Sequence, residues 1–202
     1  MVIKPIYFPC IEVYSFDTTS NIVICLSNRS NTACIRVFFP FKTPIITDIT
    51  SPIWTYCSSI GTSTNGIGLS PDENTLYVAE TEGARLYAFP ITGDGHVDKL
   101  GFPDSINGGK LVTCDGGFRR FDSLAVEQNG NVCVATLMTG GITVANPNGG
   151  TEEFIVTDDP YTTNICFGGA DLKTAYLTLS WQGLLVSTDW KRAGLPLNFV
   201  NL

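Results

Sequence analysis

Asn65-Gly-Ile-Gly-Leu-Ser-Pro-Asp-Glu-Asn-Thr-Leu-Tyr-Val-Ala-Glu80 sets a pattern that two later segments repeat. The repeats are Asp122-Ser-Leu-Ala-Val-Glu-Gln-Asn-Gly-Asn-Val-Cys-Val-Ala-Thr136 and Asn164-Ile-Cys-Phe-Gly-Gly-Ala-Asp-Leu-Lys-Thr-Ala-Tyr-Leu-Thr178. Each begins with a side-chain amide or acid and a short apolar run, passes through a turn rich in Pro, Asp, Asn or Gly, and ends in a second apolar run. One repeated unit therefore organises the chain.

The residues between the two apolar runs predict that each unit is a β-hairpin. Pro71 has a fixed φ, and the Asn129-Gly130 pair favours a tight reversal between strands. A third strand is predicted after each hairpin, over residues 84–89, 141–145 and 183–187. The units begin 57 and 42 residues apart, close to the repeat of about 40 to 50 residues of a four-stranded propeller blade. The sequence therefore predicts an all-β protein of the β-propeller type.

Composition and charge limit the classes of function. The 202 residues are 44% hydrophobic with a net charge of −7, and the isoelectric point of about 4.6 disfavours a nucleic-acid or anionic-membrane surface. No apolar run approaches the roughly 20 residues that span a bilayer, and the N-terminus does not resemble a signal peptide. We expect a soluble, cytoplasmic protein that binds neither nucleic acid nor membrane.

Cysteine and histidine usage does not indicate a zinc site or a disulfide framework. The seven cysteines are scattered without a Cys-x-x-Cys motif. Cys133 and Cys166 fall within apolar strand runs, so we expect both to be buried thiols. His96 is the single histidine and lies near two glycines, which favours a solvated surface position.

The sequence divides into residues 1–62, which contain no copy of the repeat, and residues 63–202, which contain all three. Residues 21–25 and 34–39 are predicted as two strands of one degenerate earlier blade, with a polar turn between them.

Asn65, Asp122 and Asn164 occupy the same position in the three units. In a propeller, the residues entering the innermost strands converge on one axis. Oxygen ligands from amides and carboxylates suit a hard divalent cation such as Ca²⁺, with Mg²⁺ or Mn²⁺ as alternatives. These residues also occur at strand starts simply to cap backbone amides, and the repeat alone does not separate the two interpretations.

The three motifs, in this order from about residue 64 to the C-terminus, resemble the SMP-30/gluconolactonase family of regucalcin-like lactonases. The resemblance implies a six-bladed propeller that hydrolyses sugar lactones with one divalent metal in its channel, Ca²⁺ first and Zn²⁺, Mn²⁺, Mg²⁺ or Fe²⁺ as alternatives. It implies that Asn65 and Asp122 are metal ligands and that Asp122 is also the general base. Asn164 is not part of the implied ligand set, and it enters from the repeat as a channel-lining residue.

The chain departs from this family at its N-terminal side. Its length leaves room for about four blades at the usual repeat, and the family's first-blade glutamate has no clear counterpart, since Glu12 is the only glutamate before Glu73. The chain is then either a divergent propeller or an incomplete one. The open blade edges of an incomplete propeller would favour self-association.

Two other functions are compatible with parts of the sequence. A catalytically inactive propeller fragment could act as a binding or interaction module, because the fold hosts both roles. A serine hydrolase using Ser70 or Ser123 is disfavoured, because the sequence has no Gly-x-Ser-x-Gly motif and His96 is not near either serine in the repeat.

Overall fold

The computed structural model describes residues 64–93 and 96–197 with their side chains, and before them the backbone of four strands. All regular elements in these residues are β-strands, with no helix among them. The all-β class is therefore confirmed for the described part of the chain. Residues 39–63 lie outside it.

Sixteen strands, numbered in chain order, are described. The four early strands are β1 (Lys4–Pro5), β2 (Glu12–Phe16), β3 (Asn21–Asn28) and β4 (Asn31–Phe38). The first repeat contains β5 (Thr64–Leu69), β6 (Thr75–Glu80), β7 (Arg85–Gly93), β8 (His96–Val97) and β9 (Lys110–Cys114). The second contains β10 (Arg120–Val126), β11 (Val132–Leu137), β12 (Gly141–Ala145) and β13 (Thr151–Val156). The third contains β14 (Thr162–Gly168), β15 (Thr174–Leu179) and β16 (Leu184–Asp189).

The three repeats form three antiparallel sheets in which consecutive strands pair. The first sheet joins β5, β6 and β7, with β8 and β9 both paired to β7. The second sheet runs from β10 to β13 in order, and the third joins β14, β15 and β16. The predicted hairpins and third strands are therefore present in every repeat.

The turns have the backbone geometry that their residues favour. Gly130 between β10 and β11 has a φ of 94°, and Gly169 between β14 and β15 has a φ of 82°. The Ser70 hydroxyl accepts a bond from the Thr75 amide at 2.9 Å and donates to Asp72 Oδ1 at 2.5 Å. These interactions close the β5–β6 turn, so the Ser70 hydroxyl has a structural role.

Two apolar cores lie between successive sheets. The core between the first and second sheets is centred on Leu86 and Phe121, both fully buried. The core between the second and third sheets is centred on Ile142, Leu177 and the largely buried Trp190. The sheets therefore stack in chain order, with each inner face covered by the next sheet.

The early strands take part in two sheets. β2, β3 and β4 form a three-stranded antiparallel sheet in which β3 and β4 extend into the segment predicted as a polar turn. β1 pairs with β16, with Lys4 opposite Ser187, and so becomes the fourth strand of the third sheet. The last sheet is thus completed by the first strand of the chain, which the sequence did not predict.

Candidate functional site

The first strands of the three sheets lie next to one another. β5 contacts β10, and β10 contacts β14. Each of these strands starts the hairpin of its own repeat, so their N-terminal ends are brought towards one end of the stack. The three residues chosen from the sequence lie at these ends.

A β-bulge interrupts the register at all three strand starts. The shifts fall between Thr64 and Ile67, between Phe121 and Leu124, and between Thr162 and Asn164. A bulge leaves a residue unpaired and changes the direction of its side chain. Asn65 and Asp122 lie inside their bulges and Asn164 ends the third, so the local backbone departs from a regular ladder where the site is predicted.

Asn65 and Asp122 are in direct contact. Asn65 Nδ2 donates a hydrogen bond to Asp122 Oδ1 at 2.6 Å, across 57 residues of sequence. The same nitrogen lies 3.4 Å from Thr81 Oγ1. With its nitrogen facing Asp122, the Asn65 amide retains a carbonyl oxygen that can bind a cation.

Gly66 permits this contact. A Cβ atom at this position would lie 2.6 Å from the Asp122 carbonyl oxygen and 2.9 Å from the Leu124 nitrogen. No side chain fits there without moving the β10 backbone, so the Asn-Gly sequence is needed for the close approach of β5 to β10. The quoted motif contained Gly66, but only the packing of two repeats shows what it contacts.

The environment of Asp122 favours its neutral form. Burial raises the pKa of the Asp122 carboxyl above its ordinary value of 3.8, while bonds from the Asn65 side chain and the Ser123 backbone oppose that shift. Because desolvation is the larger effect, ionised Asp122 is less stable here than in water. A bound cation would act in the opposite direction and favour the charged carboxylate.

Asn164 shares one interaction with Asp122, a hydrogen bond from the backbone nitrogen of the next residue. Its Oδ1 accepts a hydrogen bond from the Ile165 backbone nitrogen at 2.8 Å, which is the capping interaction considered as the alternative at the sequence level. Asn164 is opposite Thr178 in the β14–β15 ladder. Its role in lining the site stays a prediction.

No group of three or more His, Cys, Asp or Glu side chains is placed to hold a metal within the described part of the chain. The Glu12 side chain is outside that part. An ion at Asn65 and Asp122 would be held by one amide and one acid of the described residues. Both are hard oxygen donors of the kind that Ca²⁺ and Mg²⁺ prefer.

Beside the Asn65–Asp122 contact lies an ion pair that sequence reasoning did not identify. Arg120 Nε lies 3.3 Å from Glu82 Oε2, and the Arg120 guanidinium covers the Phe118 ring at 4.9 Å from its centroid. Glu82 is adjacent to Thr81, and Arg120 is two residues before Asp122. The first and second sheets are therefore joined twice at this end.

Cys133, Cys166 and His96 belong to other parts of the described sheets than the Asn65–Asp122 contact. Cys133 is fully buried and Cys166 is only partly buried, because Cys166 faces the side of the third sheet opposite its core. His96 belongs to the short strand β8 and pairs with Gly93. Gly93 ends β7, so His96 lies at the opposite end of β7 from the β6–β7 turn.

These observations define an all-β protein of stacked antiparallel sheets with an amide–carboxylate pair at the start of neighbouring strands. A family model described as the SMP-30/Gluconolactonase/LRE-like region matches residues 57–180, more than half of the chain. The chain belongs to this family.

This chain matches only part of the length of each similar protein. A 6-deoxy-6-sulfogluconolactonase of Pseudomonas putida is 28% identical over 132 residues, which are 64% of this chain and 43% of that protein. The calcium-binding protein regucalcin of Agrobacterium tumefaciens is similar in fold, with a TM-score of 0.54 and 15% identity over 88% of this chain and 59% of that one. A luciferin-regenerating enzyme has a TM-score of 0.50 and 17% identity, over 66% of this chain and 48% of its own. The chain spans less than half of the named sulfogluconolactonase.

The described residues contain no helix that is long and apolar enough to span a bilayer.

Proposed function

We propose that this protein hydrolyses sugar lactones with the aid of a divalent cation, and that Asp122 is the general base. The observation that carries the proposal is the 2.6 Å contact between Asn65 and Asp122. It joins the two residues that the family resemblance implies as metal ligands, from separate repeats. Membership of the family and the name of the sulfogluconolactonase relative support the lactone as the substrate class.

Asn65 and Asp122 would hold the cation through the amide carbonyl oxygen and the carboxylate. Ca²⁺ is our first choice, because the donors are oxygens only, and the name of the regucalcin neighbour supports it. Bound there, a divalent cation would polarise the lactone carbonyl and stabilise the negative charge that develops on its oxygen.

Asp122 would take a proton from water as the water oxygen attacks the carbonyl carbon of the lactone. The ring C–O bond then breaks, and the proton passes to the departing ring oxygen, which leaves an open hydroxy acid. A base works best when its pKa is near the working pH. Burial raises the pKa of the Asp122 carboxyl towards that range, and a bound cation would oppose the shift by favouring the carboxylate.

The rest of the local structure would keep this base in place. The Thr81 hydroxyl contacts the Asn65 amide. Gly66, which has no side chain, lets Asn65 lie close to Asp122. Such supporting contacts hold reactive groups in a productive geometry.

We propose further that the sheets are blades of a propeller with about four blades at the family's repeat length. The antiparallel pairing of the first three strands in each of the three repeats supports this architecture. The pairing of β1 with β16 gives the last sheet four strands, the number in a propeller blade.

The test is hydrolysis of glucono-1,5-lactone, followed by proton release, with added Ca²⁺, Mn²⁺, Zn²⁺ or Mg²⁺ and after chelation. Asp122→Asn should lower kcat by about 100-fold or more, the usual contribution of a general base. Asp104→Asn is the matched control, because Asp104 is an exposed acid in the loop before β9. Activity that survives both chelation and Asp122→Asn would exclude the mechanism. A folded but inactive wild-type protein would instead support the binding-module alternative.

A further inference from the structure

A pair of aromatic side chains stands exposed at the end of the third sheet. The rings of Trp181 and Tyr161 are stacked, with centroids 5.7 Å apart and an angle of 20° between their planes. Trp181 is 71% exposed and Tyr161 is 36% exposed. A stacked aromatic pair that is open to solvent offers an apolar face to a ligand.

A buried carboxylate holds both aromatic residues in place. Asp159 is only 1% exposed, and it accepts backbone N–H bonds from Tyr161 at 2.7 Å, Trp181 at 3.3 Å and Gln182 at 2.9 Å. These bonds tie the segment before β14 to the β15–β16 turn. The backbone that carries both rings is therefore fixed before any ligand arrives, and a fixed backbone reduces the conformational entropy lost on binding.

Hydroxyl groups border the aromatic pair. Thr163 Oγ1 lies 2.8 Å from Ser180 Oγ and 2.8 Å from Thr178 Oγ1. Ser180 immediately precedes Trp181, and its backbone nitrogen donates to the Tyr161 carbonyl at 2.9 Å. An aromatic face beside several hydroxyls matches a sugar ring, which has an apolar C–H face and polar edges.

The aromatic pair lies at the same end of the strands as Asp122. The turn that carries Trp181 follows β15, whose last residue Leu179 is opposite Thr162 at the start of β14. Tyr161 also bridges Leu137, which is opposite Arg120 in the second sheet. Arg120, Leu137 and Tyr161 therefore lie in one row of paired residues. Two strand spacings of about 4.8 Å each place Tyr161 about 10 Å from Arg120.

We infer that Trp181, Tyr161, Thr163 and Ser180 form a subsite for a second sugar ring, so that the preferred substrate is a disaccharide aldonolactone. This inference rests on the proposed lactonase function. The reacting lactone ring lies at Asp122, and the ring attached to it by a glycosidic bond stacks on Trp181. A monosaccharide lactone at Asp122 does not reach the aromatic pair.

The experiment compares cellobiono-1,5-lactone with glucono-1,5-lactone in the wild type, Trp181→Ala and Trp181→Phe. Trp181→Ala should lower kcat/KM for the disaccharide lactone by about tenfold and leave the monosaccharide lactone nearly unchanged. Trp181→Phe keeps an aromatic face and should recover most of the difference. Phe102→Ala is the matched control, because it removes an 88% exposed aromatic side chain in the loop between β8 and β9.

A binding measurement separates the two proposals. Cellobionate, the open-chain acid, is titrated by calorimetry against the same variants, with gluconate for comparison. If the wild type hydrolyses neither lactone, the proposed function fails, and tighter binding of cellobionate that depends on Trp181 would still establish the subsite. Equal effects of Trp181→Ala on both sugars, or none on either, would overturn the subsite. The subsite would also be overturned if Trp181→Ala changed only the sedimentation coefficient of the protein. The aromatic pair would then be a contact between proteins.

Discussion

The indole nitrogen of Trp190 donates a 2.6 Å hydrogen bond to Glu127 Oε1, and this bond ties the segment after β16 to the end of β10. Glu127 is completely buried and also pairs with Arg192. The adjacent backbone joins the same elements, since the Gln128 nitrogen donates to the Ala193 carbonyl and the Leu195 nitrogen donates to the Val126 carbonyl. The second and third sheets are therefore held together by a buried charge as well as by apolar packing.

Replacing Glu127 with Ala should strongly destabilise the protein. Arg192 and the Trp190 N–H would lose their buried partner, and breaking such a pair costs about 3 to 5 kcal/mol. Urea unfolding followed by circular dichroism measures the loss. Trp190→Phe, which removes the bond and keeps a smaller aromatic ring, should cost about 1 to 3 kcal/mol through the lost bond. Equal stabilities for the wild type and Glu127→Ala would show that the buried pair contributes nothing.

Gly66→Ala should reduce both stability and activity. The new Cβ would meet the Asp122, Ser123 and Leu124 backbone at 2.6 to 3.0 Å, and such overpacking costs about 1 to 3 kcal/mol. The displaced β5 would also separate Asn65 from Asp122. Thermal unfolding and lactone hydrolysis measure the two effects. Gly93→Ala is the matched control in a strand, because a Cβ there meets no atom within 4 Å.

Ca²⁺ should raise the unfolding temperature of the wild type through Asn65 and Asp122. A ligand present at about 100 times its dissociation constant stabilises a protein by about 2.7 kcal/mol. Differential scanning fluorimetry with and without Ca²⁺ should show a shift that is lost in Asp122→Asn and reduced in Asn65→Ala. An undiminished shift in both variants would place the ion elsewhere, and Asp104→Asn should behave as the wild type does.

The Cys133 thiol should resist alkylation in the native protein even at mildly alkaline pH. Burial, followed by the charge of Glu127, raises the pKa of Cys133 well above 9.0, so the reactive thiolate is scarce in the folded state. The unfolded chain has a lower Cys133 pKa and loses its proton first, so this thiol's contribution to stability declines as the pH rises past 9.0. Iodoacetamide labelling with peptide mapping should modify the exposed Cys114 first and Cys133 only after unfolding.

Much of the local structure follows from short segments of sequence. Alternating apolar residues and turn formers such as Pro71 and Gly130 specify hairpins within a few residues, so the strands of the repeats could be predicted. The bulges at the strand starts could not, because a bulge depends on how two strands pair. The bond from the Ile165 nitrogen to Asn164, like the bond from Ser123 to Asp122, depends on the bulged backbone at the strand start.

The sequence by itself determined the all-β class, the three repeated units and the shared position of Asn65, Asp122 and Asn164, since periodicity and turn chemistry act over neighbouring residues. The tertiary structure alone decided that Gly66 brings those two side chains together, that β1 completes the last sheet, and that Asp159 fixes Trp181 against Tyr161. Each of these contacts joins residues far apart in the chain. Their geometry is set by the packing of whole sheets, which no single segment encodes.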